Sequence, residues 1–128
     1  MRVLVDTHAL IWAVDEPARL GSTARLALED DSNEVVISAA TVWEIAIKTG
    51  LRKLTLSMPY KEWMNRAIAD LGATILPITV EYADAQATLP NHHRDPFDRL
   101  LVAQAQVDNM PLASNEETFD RYGISRLW

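Results

Sequence analysis

Asp6, Glu44, Asp98 and Glu116 lie far apart in the chain, yet each stands where an apolar run has just ended or a helix is beginning. Asp6 follows Val3-Leu4-Val5, Glu44 comes shortly after Val35-Val36-Ile37, Asp98 lies in Arg94-Asp95-Pro96-Phe97-Asp98-Arg99, and Glu116 follows Pro111-Leu112-Ala113-Ser114. Carboxylates brought together from such positions form an oxygen cage for a hard divalent cation, Mg²⁺ or Mn²⁺. The chemistry that needs such a cation is phosphoryl transfer or hydrolysis, where the metal polarises the phosphate, activates a water and stabilises the leaving oxygen.

Each acid also has a plain structural use. Asp6 and Asp95 suit helix N-caps, with Pro96 at the first helical position. Thr41-Val42-Trp43-Glu44 and Ser114-Asn115-Glu116-Glu117 both fit a capping box. Taken singly, capping is the commoner use of such residues. Taken together, acids at one edge raise one another's pKa and strain the fold unless a cation holds them. His92 and His93 are candidate ligands or proton shuttles, although paired histidines in a polar loop are more often merely exposed. His8, two residues past Asp6, reads as a packing or supporting group.

The elements that must position these acids follow from the hydrophobic pattern. Strands are expected at 2–5, 34–38, 73–78, 111–114 and 124–128, the third with an edge character imposed by Pro77. Helices are expected at 7–14, 22–28 with Ser22 as its cap, 39–48, 59–71 stopping at Gly72, 80–89, 96–108 and 116–122. The stretch 51–56 reads as an extended loop. In the fourth helix Trp63, Met64, Ala67, Ile68 and Leu71 share one face and belong to the core. About five short strands alternating with helices predict an α/β domain with a central parallel sheet covered on both faces. The carboxyl ends of its strands share one edge, where acids remote in sequence converge.

The 128 residues are read as one domain, 1–128, with ordinary apolar (48%) and charged (23%) content and no repeat. No membrane span or signal peptide is read, and the lack of cysteine excludes thiolate metal sites and suits a cytoplasmic protein. The net charge of −6 argues against a polyanionic partner. Two divalent cations held by four acids would offset most of it.

Longer stretches make the pattern recognisable: Val5-Asp6-Thr7-His8-Ala9-Leu10, Ser38-Ala39-Ala40 with Trp43 to Lys48, His92-His93-Arg94-Asp95-Pro96-Phe97-Asp98-Arg99-Leu100-Leu101, and Phe119-Asp120-Arg121-Tyr122-Gly123. Over nearly its whole length the chain resembles the PIN-domain ribonucleases, specifically the VapC-like toxins of toxin–antitoxin operons. The resemblance implies the PIN fold and a Mg²⁺- or Mn²⁺-dependent endoribonuclease that hydrolyses RNA through a carboxylate-bound, metal-activated water. It also implies a small VapB-like antitoxin that neutralises the enzyme, and a homodimer. The family's acids map onto Asp6, Glu44 and Asp98, with Asp95 an additional acid beside them. The fourth is usually the Asp of a Thr-x-Asp pattern, where this chain has Ser114-Asn115-Glu116. Glu116 is one methylene longer than that Asp, and Asn115 is a neutral oxygen donor next to it. Arg94 and Arg99, with Thr7 and Ser114, are the expected RNA contacts, joined by Arg52 and Lys53 at the phosphates.

Three other functions compete. A phospho-acceptor receiver domain has this length and architecture, but it needs paired acids after the first strand, where Thr7 follows Asp6. A haloacid-dehalogenase-like phosphatase needs an Asp-x-Asp, and His8 stands at its second acid. A non-catalytic binding module, with the acids as caps and an apolar surface near Trp12 or Trp43, is the remaining alternative.

Overall fold

The computed structural model describes residues 1–128. Five strands, β1 (Arg2–Val5), β2 (Glu34–Ser38), β3 (Thr74–Leu76), β4 (Leu112–Ala113) and β5 (Arg126–Leu127), form one parallel sheet in the order β3-β2-β1-β4-β5. Six α-helices join them: α1 (Thr7–Asp15), α2 (Ser22–Glu29), α3 (Ala39–Gly50), α4 (Tyr60–Leu71), α5 (Val80–Ala87) and α6 (Pro96–Val107), with 3-10 turns at Pro17–Arg19 and Glu117–Tyr122.

Alternation along the central strand builds the two cores. Val3 and Val5 point to one face, where Leu10, Ala27, Ile45 and Trp63 cover them; Leu4 points to the other, against Leu101, Phe119 and Tyr82. Helices α1 to α4 therefore cover one side, and α5, α6 and the 117–122 turn cover the other. Trp63 is completely buried, and its indole N–H donates to Asp15 Oδ1 at 3.0 Å, tying α4 to the end of α1. Gly72 closes α4 with φ +57, a left-handed cap that glycine adopts without steric cost.

The expected elements are all present, with shorter strands at the periphery. Pro77 ends β3 after three residues at the sheet edge. β4 and β5 are two residues each, although Leu4 N–H still donates to Pro111 O at 3.0 Å and Ser114 N–H to Leu127 O at 3.1 Å. Three caps differ from expectation. Ser22 does not cap α2, since Gly21 holds that position. Ser38, the last residue of β2, caps α3 through Ala40 N–H at 3.1 Å, so Thr41 and Glu44 lie inside the helix and form no capping box. Ser114 Oγ accepts from Glu116 N–H at 3.0 Å, and Glu116, at the cap of the 117–122 turn, makes no side-chain capping bond.

Candidate metal centre

β1 and β4 are neighbours, and Asp6 N–H donates to Ala113 O at 3.1 Å, so the chain leaves both strands at the same level. That register brings Asp6 and the Ser114–Glu116 turn to one edge. Asp6 is buried; one of its oxygens accepts from Ala9 N–H at 2.8 Å as the N-cap of α1. Burial raises its pKa, while the Ser114 hydroxyl and Ala9 N–H pull it back down and nearby Glu116 adds repulsion. Ser114 itself is fully buried and supports both acids.

Asp98 sits in the first turn of α6, whose cap is Asp95: Oδ1 of Asp95 accepts from Phe97 N–H at 2.8 Å. The Asp98 carboxyl is pushed up to about 8, first by burial and then by Asp95, Glu116, Glu44 and Asp6. A carboxyl with this much anionic company in a partly dry cleft is the electrostatic signature of a place for a cation.

His93 answers part of that charge. Its Nε2 lies 3.0 Å from Asp98 Oδ2 and 2.7 Å from Glu116 Oε1, and its ring stacks on Phe119 at 5.8 Å. The three side chains offer ligand atoms within 4.8 Å of one another. Yet Asp95 N–H points at His93 Nδ1 at 3.3 Å, which makes Nδ1 the acceptor and puts the proton of a neutral ring on Nε2. A protonated Nε2 donates to the carboxylates and does not ligate. In this tautomer His93 is a donor bridging two acids, and the Asp98 and Glu116 oxygens face it, with Asp6 close enough to act on Asp98.

Glu44 is buried in α3 with both oxygens engaged: the Thr7 hydroxyl donates to Oε1 at 2.5 Å, and Lys48, one turn on, donates to Oε2 at 2.7 Å. The buried Thr41 hydroxyl, three residues before Glu44 and so on the same helix face, has no hydrogen-bond partner. Crowded carboxylates, a raised Asp98 and an orphaned hydroxyl fit a hard divalent cation in this cleft.

A sequence model of the PIN domain matches residues 3–124. The chain belongs to the PIN domain family. It is 32% identical to ribonuclease VapC22 of Mycobacterium tuberculosis (strain ATCC 25618 / H37Rv) over 104 residues, 80% of this chain and 78% of that protein. The fold matches the structure of VapBC2 from Rickettsia felis bound to a DNA fragment from their promoter, with a TM-score of 0.72 at 14% identity over the whole of both chains. It also matches VapBC-1 from nontypeable Haemophilus influenzae, with a TM-score of 0.69 at 14% identity, covering 98% of this chain and 96% of that one.

The expected RNA contacts of this PIN domain lie in unlike surroundings. Arg99 is buried, and its two terminal nitrogens donate to four backbone carbonyls, those of Gln86, Leu89, Pro90 and His93, at 2.9–3.4 Å. It braces the loop that carries His93, and its two terminal nitrogens are spent on that task. Thr7 and Ser114 are buried and serve Glu44 and Asp6, whereas Arg94 is exposed on the rim beside Asp95 and Glu116. Asp95, expected as an additional ligand, commits one oxygen to the start of α6. His8 is exposed, 5.8 Å from the Trp12 ring, and acts on Asp6 only through its charge.

Arg99→Ala is expected to destabilise the PIN domain by about 2 kcal/mol or more in chemical denaturation, because buried carbonyls lose a charged donor. Arg99→Lys should recover little of it, since a single ammonium cannot span four carbonyls. Near-wild-type stability of both variants would show that the brace contributes nothing.

Proposed function

We propose that this chain is a metal-dependent endoribonuclease toxin that hydrolyses RNA phosphodiester bonds and is neutralised by a cognate antitoxin. The observation that carries the proposal is the meeting of Asp6, Asp98 and Glu116 at the carboxyl edge of β1 and β4, with Asp98 pushed up to about 8, in a PIN domain related to a ribonuclease. Helix capping accounts for Asp6 but not for the other two acids: Asp98 caps nothing, and Glu116 makes no side-chain capping bond. That favours the nuclease over a bare binding module.

Asp6, Asp98 and Glu116 would hold Mg²⁺ or Mn²⁺, Glu44 would join when it frees an oxygen, and Asp95 would shape the start of α6 around Asp98. A cation there polarises the scissile phosphate and lowers the pKa of the attacking water. The protein's own residues do the rest. Thr7 and Ser114 fix the carboxylates, His93 keeps Asp98 and Glu116 apart with a donor between them, and exposed Arg94 meets the substrate's phosphates at the rim.

The antitoxin is expected to be a small VapB-like protein that lays an apolar helix on this chain and brings a basic side chain toward the acids. A groove of about 320 Å³ between α3, α4 and the edge strand β3, lined by Val42, Tyr60, Met64, Ile68 and Ile75, suits such a helix. A homodimer and a cytoplasmic location complete the proposal; no helix is long and apolar enough to cross a membrane.

Incubating the purified protein with RNA in Mg²⁺, Mn²⁺ or chelator tests the activity. Cleavage that is metal-dependent supports it, and no cleavage under any of the three conditions refutes it. Glu116 is further expected to favour Mn²⁺, because its longer side chain makes a looser cage and Mg²⁺ demands near-ideal octahedral geometry. Glu116→Asp should then shift the preference toward Mg²⁺. An unchanged metal profile, together with an active Glu116→Gln, would place Glu116 outside the site.

A further inference from the structure

Lys48 is a fixed positive side chain that pairs with the buried Glu44 carboxylate. It sits one turn after Glu44 on α3, and its ammonium lies 2.7 Å from Oε2 of a carboxylate that is only 3% exposed. Thr7 takes the other oxygen of that carboxylate, so Glu44 has no uncommitted oxygen. The hydrogen bond to Glu44 holds the ammonium firmly charged, and Asp95 and Asp98 add to the attraction. Lys48 itself is half-buried, with its stem along the helix and its head over the acids.

We propose that Lys48 is a built-in counter-cation of the acidic site: in the metal-free protein its ammonium stands in for part of the divalent charge at Glu44, and a metal ion must displace it to gain that carboxylate. This rests on the metal-nuclease reading above and adds to it a residue that acts through Glu44. Three facts carry it. A buried carboxylate needs a partner or a cation in the absence of metal, and Lys48 is the partner it has. The ammonium lies 2.7 Å from Glu44 Oε2, so it and a divalent ion would compete for the same carboxylate. And the ion pair spans i to i+4 with the Glu N-terminal to the Lys, the favoured helical orientation, so it forms without any rearrangement of the fold.

The test is Mn²⁺ binding by calorimetry, with the melting temperature of the chelated protein measured alongside. Lys48→Met keeps the stem and removes the charge. It should bind Mn²⁺ about tenfold more tightly than wild type, the direction set by removing a like charge beside the ion. It should also melt lower without metal, and Mn²⁺ should restore the difference. Lys48→Arg, which keeps the charge, should bind Mn²⁺ as wild type does. Arg94→Gln removes a charge from the same rim without touching Glu44, and its gain measures the general field of the protein. A Lys48→Met gain no larger than that of Arg94→Gln, or an unchanged or weaker Mn²⁺ affinity, would overturn the proposal. If Lys48→Met fails to fold, Lys48→Gln, which retains a donor for Glu44 without the charge, is held to the same outcomes. Wild-type protein that takes up no Mn²⁺ at all would instead refute the metal site itself.

Discussion

Replacing Asp98 by asparagine is expected to lower RNA cleavage in Mg²⁺ or Mn²⁺ by more than about 100-fold, beyond what losing an outer-shell partner of a metal ligand costs. The same substitution should make the metal-free protein more stable near neutral pH. Asp98 titrates from an ordinary 3.8 up to about 8 in the folded chain, through burial first and then through Asp95, Glu116, Glu44 and Asp6. Between about pH 4 and 8 the folded state therefore keeps a proton that the unfolded chain has lost, and by linkage its stability falls as pH rises through that window. Asparagine cannot titrate, so the Asp98→Asn protein should show a flatter decline between those limits. Metal reverses the preference, because a cation binds the ionised carboxylate and releases its proton; Mn²⁺ affinity of the wild type should rise with pH up to about 8. Melting curves in chelator across this range check the first effect. An unaltered pH slope in Asp98→Asn would show that Asp98 is not the group responsible, and cleavage near the wild-type rate would remove it from the site.

The sheet and its acids were legible in the sequence because both depend on local pattern plus one topological rule. Alternation in Val3-Leu4-Val5 and the apolar run of β2 define the central strands, and parallel connection then sends Asp6 and the turn after β4 to one edge. Gly72 and Pro77 marked real boundaries for the same local reasons. Caps were less legible. Ser38 begins α3 three residues before the capping box that Thr41 and Glu44 suggest, and a short signature cannot tell the first turn from the second. The bracing role of Arg99 was not legible because its four acceptors are backbone carbonyls, which leave no mark in a sequence. His93 is legible as a candidate ligand or proton shuttle, but its bridging position was hidden for a related reason. Its place between Asp98 and Glu116 depends on a loop held by Arg99 and by the Tyr122 hydroxyl, which accepts from His93 N–H at 2.8 Å. Lys48, by contrast, carried a readable signal: an acid followed four residues later by a lysine on a helix is an ion-pair spacing, and the burial of Glu44 turns it from a surface pair into part of the site.

Asp6→Asn isolates charge from structure more cleanly than any other substitution in the cleft. Asp6 has two duties, since it caps α1 by accepting from Ala9 N–H at 2.8 Å and it presents negative charge beside Ser114 and Glu116. Asparagine is as good an N-cap as aspartate, so the carbonyl oxygen can keep the Ala9 bond. Its amide N–H₂ can donate to the Ser114 hydroxyl, which also accepts from Glu116 N–H, so the contact between the two side chains survives the change. What is lost is one negative charge whose ionisation burial already opposes. The melting temperature of the metal-free protein is therefore expected to hold or rise, while cleavage falls by more than about 100-fold and Mn²⁺ binding weakens markedly. Asp6→Ala should lose activity equally but also about 1 kcal/mol of stability, the usual cost of a missing cap. A variant series in which Asp6→Asn still cuts RNA at the wild-type rate, while only Asp6→Ala is impaired, would mean that Asp6 serves the helix alone and that Asp98 and Glu116 hold the cation without it.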